Sequence, residues 1–163
     1  MKLKFKQQKF QADAAQAVVD VFNGQGKKQN KYIMDIDLHE KQMAMGEDID
    51  FMGVANQKLS PDLSADKILN QIRKIQIGNA IKPSDKLEGN GLNLSIEMET
   101  GVGKTYTYIK TMYELYEKYG WAKYIVVVPS VAIREGVYKT FEVTEDHFAS
   151  LYGHRIRYFI YDS

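Results

Sequence analysis

Near its start the chain repeats apolar residues at helical intervals. In "FQADAAQAVVDVFNGQ", Ala14, Ala17, Val18, Val21 and Phe22 form one stripe, and Gly24 stands where such a helix would end. The rhythm then changes. "KYIMDIDL" sets Tyr32, Met34, Ile36 and Leu38 against Lys31, Ile33, Asp35 and Asp37, a mostly period-two pattern that predicts a strand. The acidic, Met-bearing "EKQMAMGEDIDF" follows, with a second short strand expected near Phe51. Helical spacing returns in "LSADKILNQIRKIQIGNAI". Ile68, Leu69, Ile72, Ile75 and Gln76 share a face, Ser64 is the expected N-cap, Asp66 lies in the first turn and Gly78 marks the end. "KPSDKLEGNG" is rich in turn formers.

From Leu92 onward the pattern is more regular. "LNLSIEM" reads as a strand. Residues 104–119 read as a helix, with Tyr108, Ile109, Met112, Leu115, Tyr116 and Tyr119 on one face. "YIVVVP" is a continuous apolar run, the form expected of a strand covered on both sides. "SVAIREGVYKTF" and "TEDHFASLY" read as two helices, and "RYFIYD" as a third strand. Strands separated by helices predict an α/β domain, a parallel sheet with helices on both faces, preceded by a less regular N-terminal insert. The expected organisation is an arm and helix over 1–24, an insert over 25–91 with one clear helix at 64–77, and the α/β part over 92–163.

Composition narrows the chemistry only modestly. The 163 residues contain no cysteine, which removes disulfide frameworks and thiolate metal sites. His39, His147 and His154 show no ligand spacing. No apolar run approaches the roughly 18 residues of a membrane span, and the basic start "MKLKFKQQKF" has no apolar segment behind it. A cytoplasmic location is the expectation. The net charge of +1 gives no global basic field, which disfavours a dedicated nucleic-acid module but not a motor that grips a backbone with a few groups.

The densest chemistry lies in "IEMETGVGKTYTYI". Gly103-Lys104-Thr105 matches the end of a P-loop, with Met98 where the strict pattern has its leading glycine. A predicted strand precedes it and a predicted helix follows. Backbone N–H groups from Thr100 through Gly101, Val102, Gly103 and Lys104 to Thr105 can form an anion-binding concavity at a helix start. Gly101 and Gly103 permit backbone turns that a Cβ would block. Lys104 supplies a point charge for the β- and γ-phosphates, and the Thr105 hydroxyl can coordinate Mg²⁺. A glycine-rich turn alone leaves Lys104 unexplained, because a cation opposes the dipole at a helix N-terminus.

"TGxGKT" without a leading glycine resembles motif I of superfamily 2 helicases and translocases. "KFQADAAQAVV" resembles that superfamily's adenine-recognition region, in which Gln11 would read the adenine edge and Phe10 would pack on or near the base. "VVVPSVAIREGV" resembles motif Ia, where Pro129 and Ser130 would meet a nucleic-acid backbone; plain helix capping explains Ser130 equally well. The longer phrases "METGVGKTYTYIKTMYEL", "VVVPSVAIREGV" and "LSADKILNQIRKIQ" resemble the restriction (Res) subunit of type III restriction–modification systems over nearly the whole chain, most loosely at 25–60. The resemblance implies a partial RecA-like P-loop NTPase domain, with ATP and Mg²⁺ as ligands. It also implies a site-specific endonuclease whose helicase-like motor couples ATP hydrolysis to movement along double-stranded DNA, in complex with a methyltransferase (Mod) subunit.

In such a motor an Asp-Glu pair holds Mg²⁺ and poises water. "RYFIYDS" ends in Asp162 and Ser163, so Asp162 reads as an ordinary strand-end residue. The expectation is the first part of a motor domain, inactive in isolation. Two alternatives remain open on the residues: another P-loop NTPase such as a kinase or transporter ATPase, and a non-catalytic nucleotide-binding or interaction domain.

Overall fold

The structure is a computed structural model that describes residues 5–27, 56–89 and 92–161. Within these the chain forms four helices: α1 (Lys9–Val21), α2 (Ala65–Gly78), α3 (Lys104–Tyr119) and α4 (Val131–Tyr152). The period-two stretch at 31–38, the strand expected near Phe51 and Asp162 lie outside the described residues.

α3 is the central element. It packs against α1 through one face and against α4 through another, and α1 also packs on α2. Toward α1, Leu115 and Tyr119 close on Val19 and Trp121, and the Tyr119 hydroxyl donates to Val19 O at 2.8 Å. Toward α4, Tyr106, Ile109 and Tyr113 close on Phe141 and Phe148, with the Tyr113 and Phe148 rings stacked at 5.1 Å. A third cluster joins Val21, Leu63 and Ile68. Full burial of such apolar side chains contributes roughly 1.5–3 kcal/mol each.

Being covered twice is why α3 departs from its one-face pattern. Tyr106, Lys110 and Tyr113 are buried together with Ile109, Leu115 and Tyr119, whereas Tyr116 is not. α1 is likewise rotated from its expected stripe, burying Gln11, Ala15 and Val19 at four-residue intervals along the face toward α3.

The helix ends follow local chemistry. Ser64 Oγ accepts from Lys67 N at 3.3 Å and caps α2 as expected. Ser130 Oγ caps α4 in the same way, accepting from Ile133 N at 3.3 Å. The two helices expected over 131–152 are one: no glycine or proline interrupts the chain between Tyr138 and Tyr152, and Thr144 Oγ1 folds back onto Thr140 O at 2.7 Å.

The α/β expectation, a RecA-like parallel sheet with helices on both faces, is corrected. Among the described residues there is no strand, and the sole β-bridge pairs Glu88 with Asn93. The stretches read as strands, 92–98, 124–129 and 157–161, belong to no ladder there. The physical reason is that a strand's hydrogen bonds come from its neighbour, and an apolar run specifies burial without specifying that neighbour. Ile125, Val127 and Phe159 are 92%, 87% and 86% exposed, so these runs are not covered on both sides as their composition predicted.

Candidate phosphate cradle at the start of α3

The turn into α3 is built on two left-handed residues, Gly101 (φ 84°) and Gly103 (φ 87°). Any residue with a Cβ is strained at such angles. At Gly103 space is also missing, because a Cβ there would lie 2.6 Å from Gln11 Nε2. At Gly101 nothing lies within 4 Å, so only the backbone angle asks for glycine. Gly103 is the N-cap, and the first helical bond to the cap runs from Thr107 N to Gly103 O at 3.0 Å. The N–H groups of Lys104, Thr105 and Tyr106 therefore have no acceptor within the helix. Three donors at the positive end of a sixteen-residue helix favour an anion.

Lys104 is exposed at this end. Its Nζ folds back and donates to Met98 O at 2.6 Å and Glu99 O at 2.8 Å, the carbonyls that lead into the turn. A cation at a helix N-terminus is thus held against the dipole by two carbonyl dipoles. Thr105 follows it and is half-buried. Thr107 and Thr111 return their hydroxyls to Gly103 O and Thr107 O at 3.2 and 2.9 Å, whereas the Thr105 hydroxyl back-bonds to no carbonyl among the described residues.

Gln11 reaches the turn from α1. Its Nε2 donates to Val102 O at 2.8 Å across 91 positions of sequence, and the residue is buried. The fold therefore brings Gln11, Gly101, Val102, Gly103, Lys104 and Thr105 together. Phe10, by contrast, is 48% exposed. Pro129 and Ser130 are exposed at the start of α4, with the Ser130 oxygen engaged in the cap.

Sequence patterns missed the polar network deeper in α3. Lys110 Nζ, Glu114 Oε1 and Tyr152 OH form a closed triangle with every edge 2.7 Å. Burial tends to raise the Glu114 pKa, but the bonds from Lys110 and Tyr152 outweigh it and hold the carboxyl below its ordinary value. Tyr152 is shifted far up by burial and by Glu114. Beside them, Tyr106 OH meets His147 Nε2 at 2.9 Å, and burial followed by the Lys110 charge lowers the His147 pKa. The signal in the sequence was the i,i+4 pair Lys110–Glu114, which reads as a solvated surface pair until Tyr152 covers it. The apolar pattern placed Tyr108 on the packed face, where its ring lies, but gave no sign that its hydroxyl would be buried without a hydrogen-bond partner. An open groove of about 570 Å³ between α1 and α2, walled by Lys67, Asn70, Gln71 and Lys74, includes none of the cradle residues.

No helix among the described residues is long and apolar enough to cross a membrane, and none of their acidic and histidine side chains cluster as a metal site would require. Comparison with known proteins gives a consistent set of relatives. The chain is 34% identical over 113 residues to the EcoP15I Res subunit, a type III restriction-modification enzyme of Escherichia coli; the match covers 68% of this chain and 11% of the relative. It is 47% identical over 62 residues to the StyLTI Res subunit of Salmonella typhimurium, covering 37% of this chain and 6% of the relative. It is 30% identical over 104 residues to the EcoPI Res subunit of Escherichia phage P1, covering 62% of this chain and 11% of the relative. The matched stretch thus spans about a tenth of these relatives or less. A family described as "Type III restriction enzyme, res subunit" matches residues 4–154, nearly the whole chain, and the protein belongs to that family.

Proposed function

We propose that the turn 100–105 binds the phosphates of ATP with Mg²⁺, as part of an ATP-driven motor that moves on double-stranded DNA and serves its cleavage. The observation that carries this reading is the first turn of α3. Two left-handed glycines present three N–H donors without helical acceptors, and Lys104 stands exposed beside them. The residues fit the ligand: a Cβ at Gly103 would collide with the Gln11 amide that braces the turn, and the Thr105 hydroxyl returns to no backbone carbonyl as Thr107's does. ATP would supply the phosphoryl group and Mg²⁺ would offset its charge. The chain's own residues bind and orient. Lys104 would exchange two carbonyl contacts for phosphate oxygens, and each charge-assisted bond is worth about 1.5–3 kcal/mol.

Gln11 commits one N–H to Val102 O and keeps its carboxamide oxygen and second N–H, the pair that would read adenine. Phe10, half exposed beside it, would lie along the base. At α4, the Ser130 hydroxyl accepts from Ile133 N and retains its own proton, which could be donated to a DNA phosphate next to Pro129. The names of the relatives support a restriction–modification assembly with a methyltransferase subunit as partner.

The test is equilibrium titration with a fluorescent ATP analogue and Mg²⁺. Lys104→Ala should weaken binding about 10- to 100-fold, the loss of one or more charge-assisted bonds. Competition by GTP should be weaker than by ATP. Unchanged affinity in Lys104→Ala would refute the phosphate site, and equal competition would remove Gln11 from base reading.

A further inference from the structure

The groove between α1 and α2 lies away from the cradle. Asp20, on its α1 wall, is nine residues beyond Gln11, about 14 Å along the helix. Two amide bonds tie the walls together: Asn23 N donates to Gln71 Oε1 at 3.1 Å, and Gln71 Nε2 donates to Asn23 O at 2.8 Å. On the α1 side charge is already matched. Asp20 Oδ1 accepts from Gln16 Nε2 at 2.8 Å and from Lys118 Nζ at 3.4 Å, and Lys118 Nζ also donates to Asn23 Oδ1 at 2.7 Å. On the α2 side charge is unmatched. Lys67, Asn70 and Lys74 recur at i, i+3 and i+7 on one exposed face of the helix. All three line the groove, and none has a hydrogen-bond or ion-pair partner among the described residues. A Cβ on Gly24 would lie 3.4 Å from Lys67 Nζ, so this ammonium hangs over the end of α1.

We propose that the groove is a contact for the phosphate backbone of double-stranded DNA, with Lys67 and Lys74 on phosphates and the Asn70 carboxamide donating between them. This goes beyond the reading above: it adds a DNA contact that needs neither nucleotide nor the Pro129–Ser130 corner. Three observations select the ligand. Two ammonium groups without a counter-charge call for an anion, since Asp20 is already engaged by Lys118. The groove is open, about 570 Å³, which suits a chain lying along it better than a small ligand that must be mostly enclosed. Lys67 and Lys74 stand about 10 Å apart along the α2 axis, three steps of one duplex strand at about 3.4 Å each. An acidic peptide would want apolar or aromatic anchors, and Ile75 is the sole apolar residue of the lining. Lysines with side-chain amides are the groups that hold a backbone without reading bases.

The experiment measures binding of a fluorescently labelled duplex by anisotropy, without nucleotide, across a series of salt concentrations. Four proteins are compared: the wild type, Lys67→Ala/Lys74→Ala, Lys67→Arg/Lys74→Arg, and Lys82→Ala/Lys86→Ala, which removes the same charge from exposed lysines outside the groove. The groove alanine pair should weaken binding about tenfold at low salt. Its plot of log affinity against log salt should be shallower by about 0.9 for each lysine removed. The arginine pair should keep both affinity and slope, and the Lys82/Lys86 pair should stay within about twofold of the wild type. Equal losses in the two alanine pairs would reduce the effect to net charge and overturn the inference. So would an arginine pair as weak as the alanine pair, which would make the lysines structural. Tighter binding of a labelled single strand than of the duplex would overturn the choice of duplex, and competition by polyglutamate as effective as by unlabelled duplex would assign the groove to an acidic protein instead. A wild type that binds no duplex would overturn the inference outright. With no nucleotide present, none of these readings depends on the cradle, so failure here and failure of the phosphate site are separate results.

Discussion

The first turn of α3 and the turns that follow it treat polar groups in opposite ways. From Lys110 onward each buried polar group is closed off. Lys110, Glu114 and Tyr152 satisfy one another, Thr111 returns to Thr107 O, Tyr119 reaches Val19 O, and Gly120 ends the helix with its N–H on Tyr116 O. In the first turn the N–H groups of 104–106 lack helical acceptors, and Thr105 does not return its hydroxyl to a carbonyl as Thr107 and Thr111 do. Two lysines six residues apart make the contrast sharp. Lys110 is almost enclosed and locked to a carboxylate, whereas Lys104 is exposed and held by two main-chain carbonyls. The open groups at the start of α3 are the ones we propose a ligand satisfies, since a helix N-terminus finds partners for its first N–H groups outside the helix.

The largest effect should come from opening the closed region. Glu114→Ala leaves the Lys110 ammonium, whose side chain is 10% exposed, with only the Tyr152 hydroxyl. An uncompensated buried charge costs about 2–3 kcal/mol, read as a lower urea midpoint. A change under about 0.5 kcal/mol would show that the triangle is not closed in solution.

A smaller loss is expected at the turn. Gly103→Ala forces a left-handed alanine, at roughly 1–2 kcal/mol, and displaces Gln11 from Val102 O. Gly101→Ala carries the backbone strain alone, so it should be the milder of the two in the same denaturation experiment. Equal losses would mean that Gln11 does not brace the turn.

Acid should act on the closed region in two smaller steps. His147 has its folded pKa lowered by burial and by Lys110, so the stability it contributes is present above its ordinary 6.5 and is lost as pH falls below that value. Glu114, with its folded pKa also lowered, holds its contribution above its ordinary 4.5 and loses it on further acidification. His147→Phe should flatten the upper step and Glu114→Gln the lower one in melting temperature against pH. The smallest effect belongs to the open turn itself. Lys104→Ala and Thr105→Val remove groups without a role in the core, and nucleotide-free stability should move by no more than about 0.5 kcal/mol. A larger loss would make them structural.

Much of the local geometry around the candidate site was legible because it depends on local backbone chemistry. The bounds of α3, the caps at Ser64 and Ser130 and the glycine turn follow from residue types at short spacing. Gln11 was legible only through the family resemblance; its contact with Val102 joins distant parts of the chain. Properties set by neighbours were not legible. The rotation of α1 to bury Ala15 and Val19 depends on where α3 lies. The burial of Lys110 depends on Tyr152, far along the chain. Apolar runs such as 124–129 suggested a sheet, yet a run of valines carries no information about a partner, and none is paired among the described residues.

The central claim is that the open polar groups of the first α3 turn receive phosphate, and amide chemical shifts report on it directly. Adding Mg²⁺ and ATP should move the backbone amide signals of residues 101–106, with little change from Lys110 to Tyr119, and Lys104→Ala should need about 10- to 100-fold more nucleotide for the same movement. Shifts confined to other parts of the chain, or equal shifts in Lys104→Ala, would contradict the account.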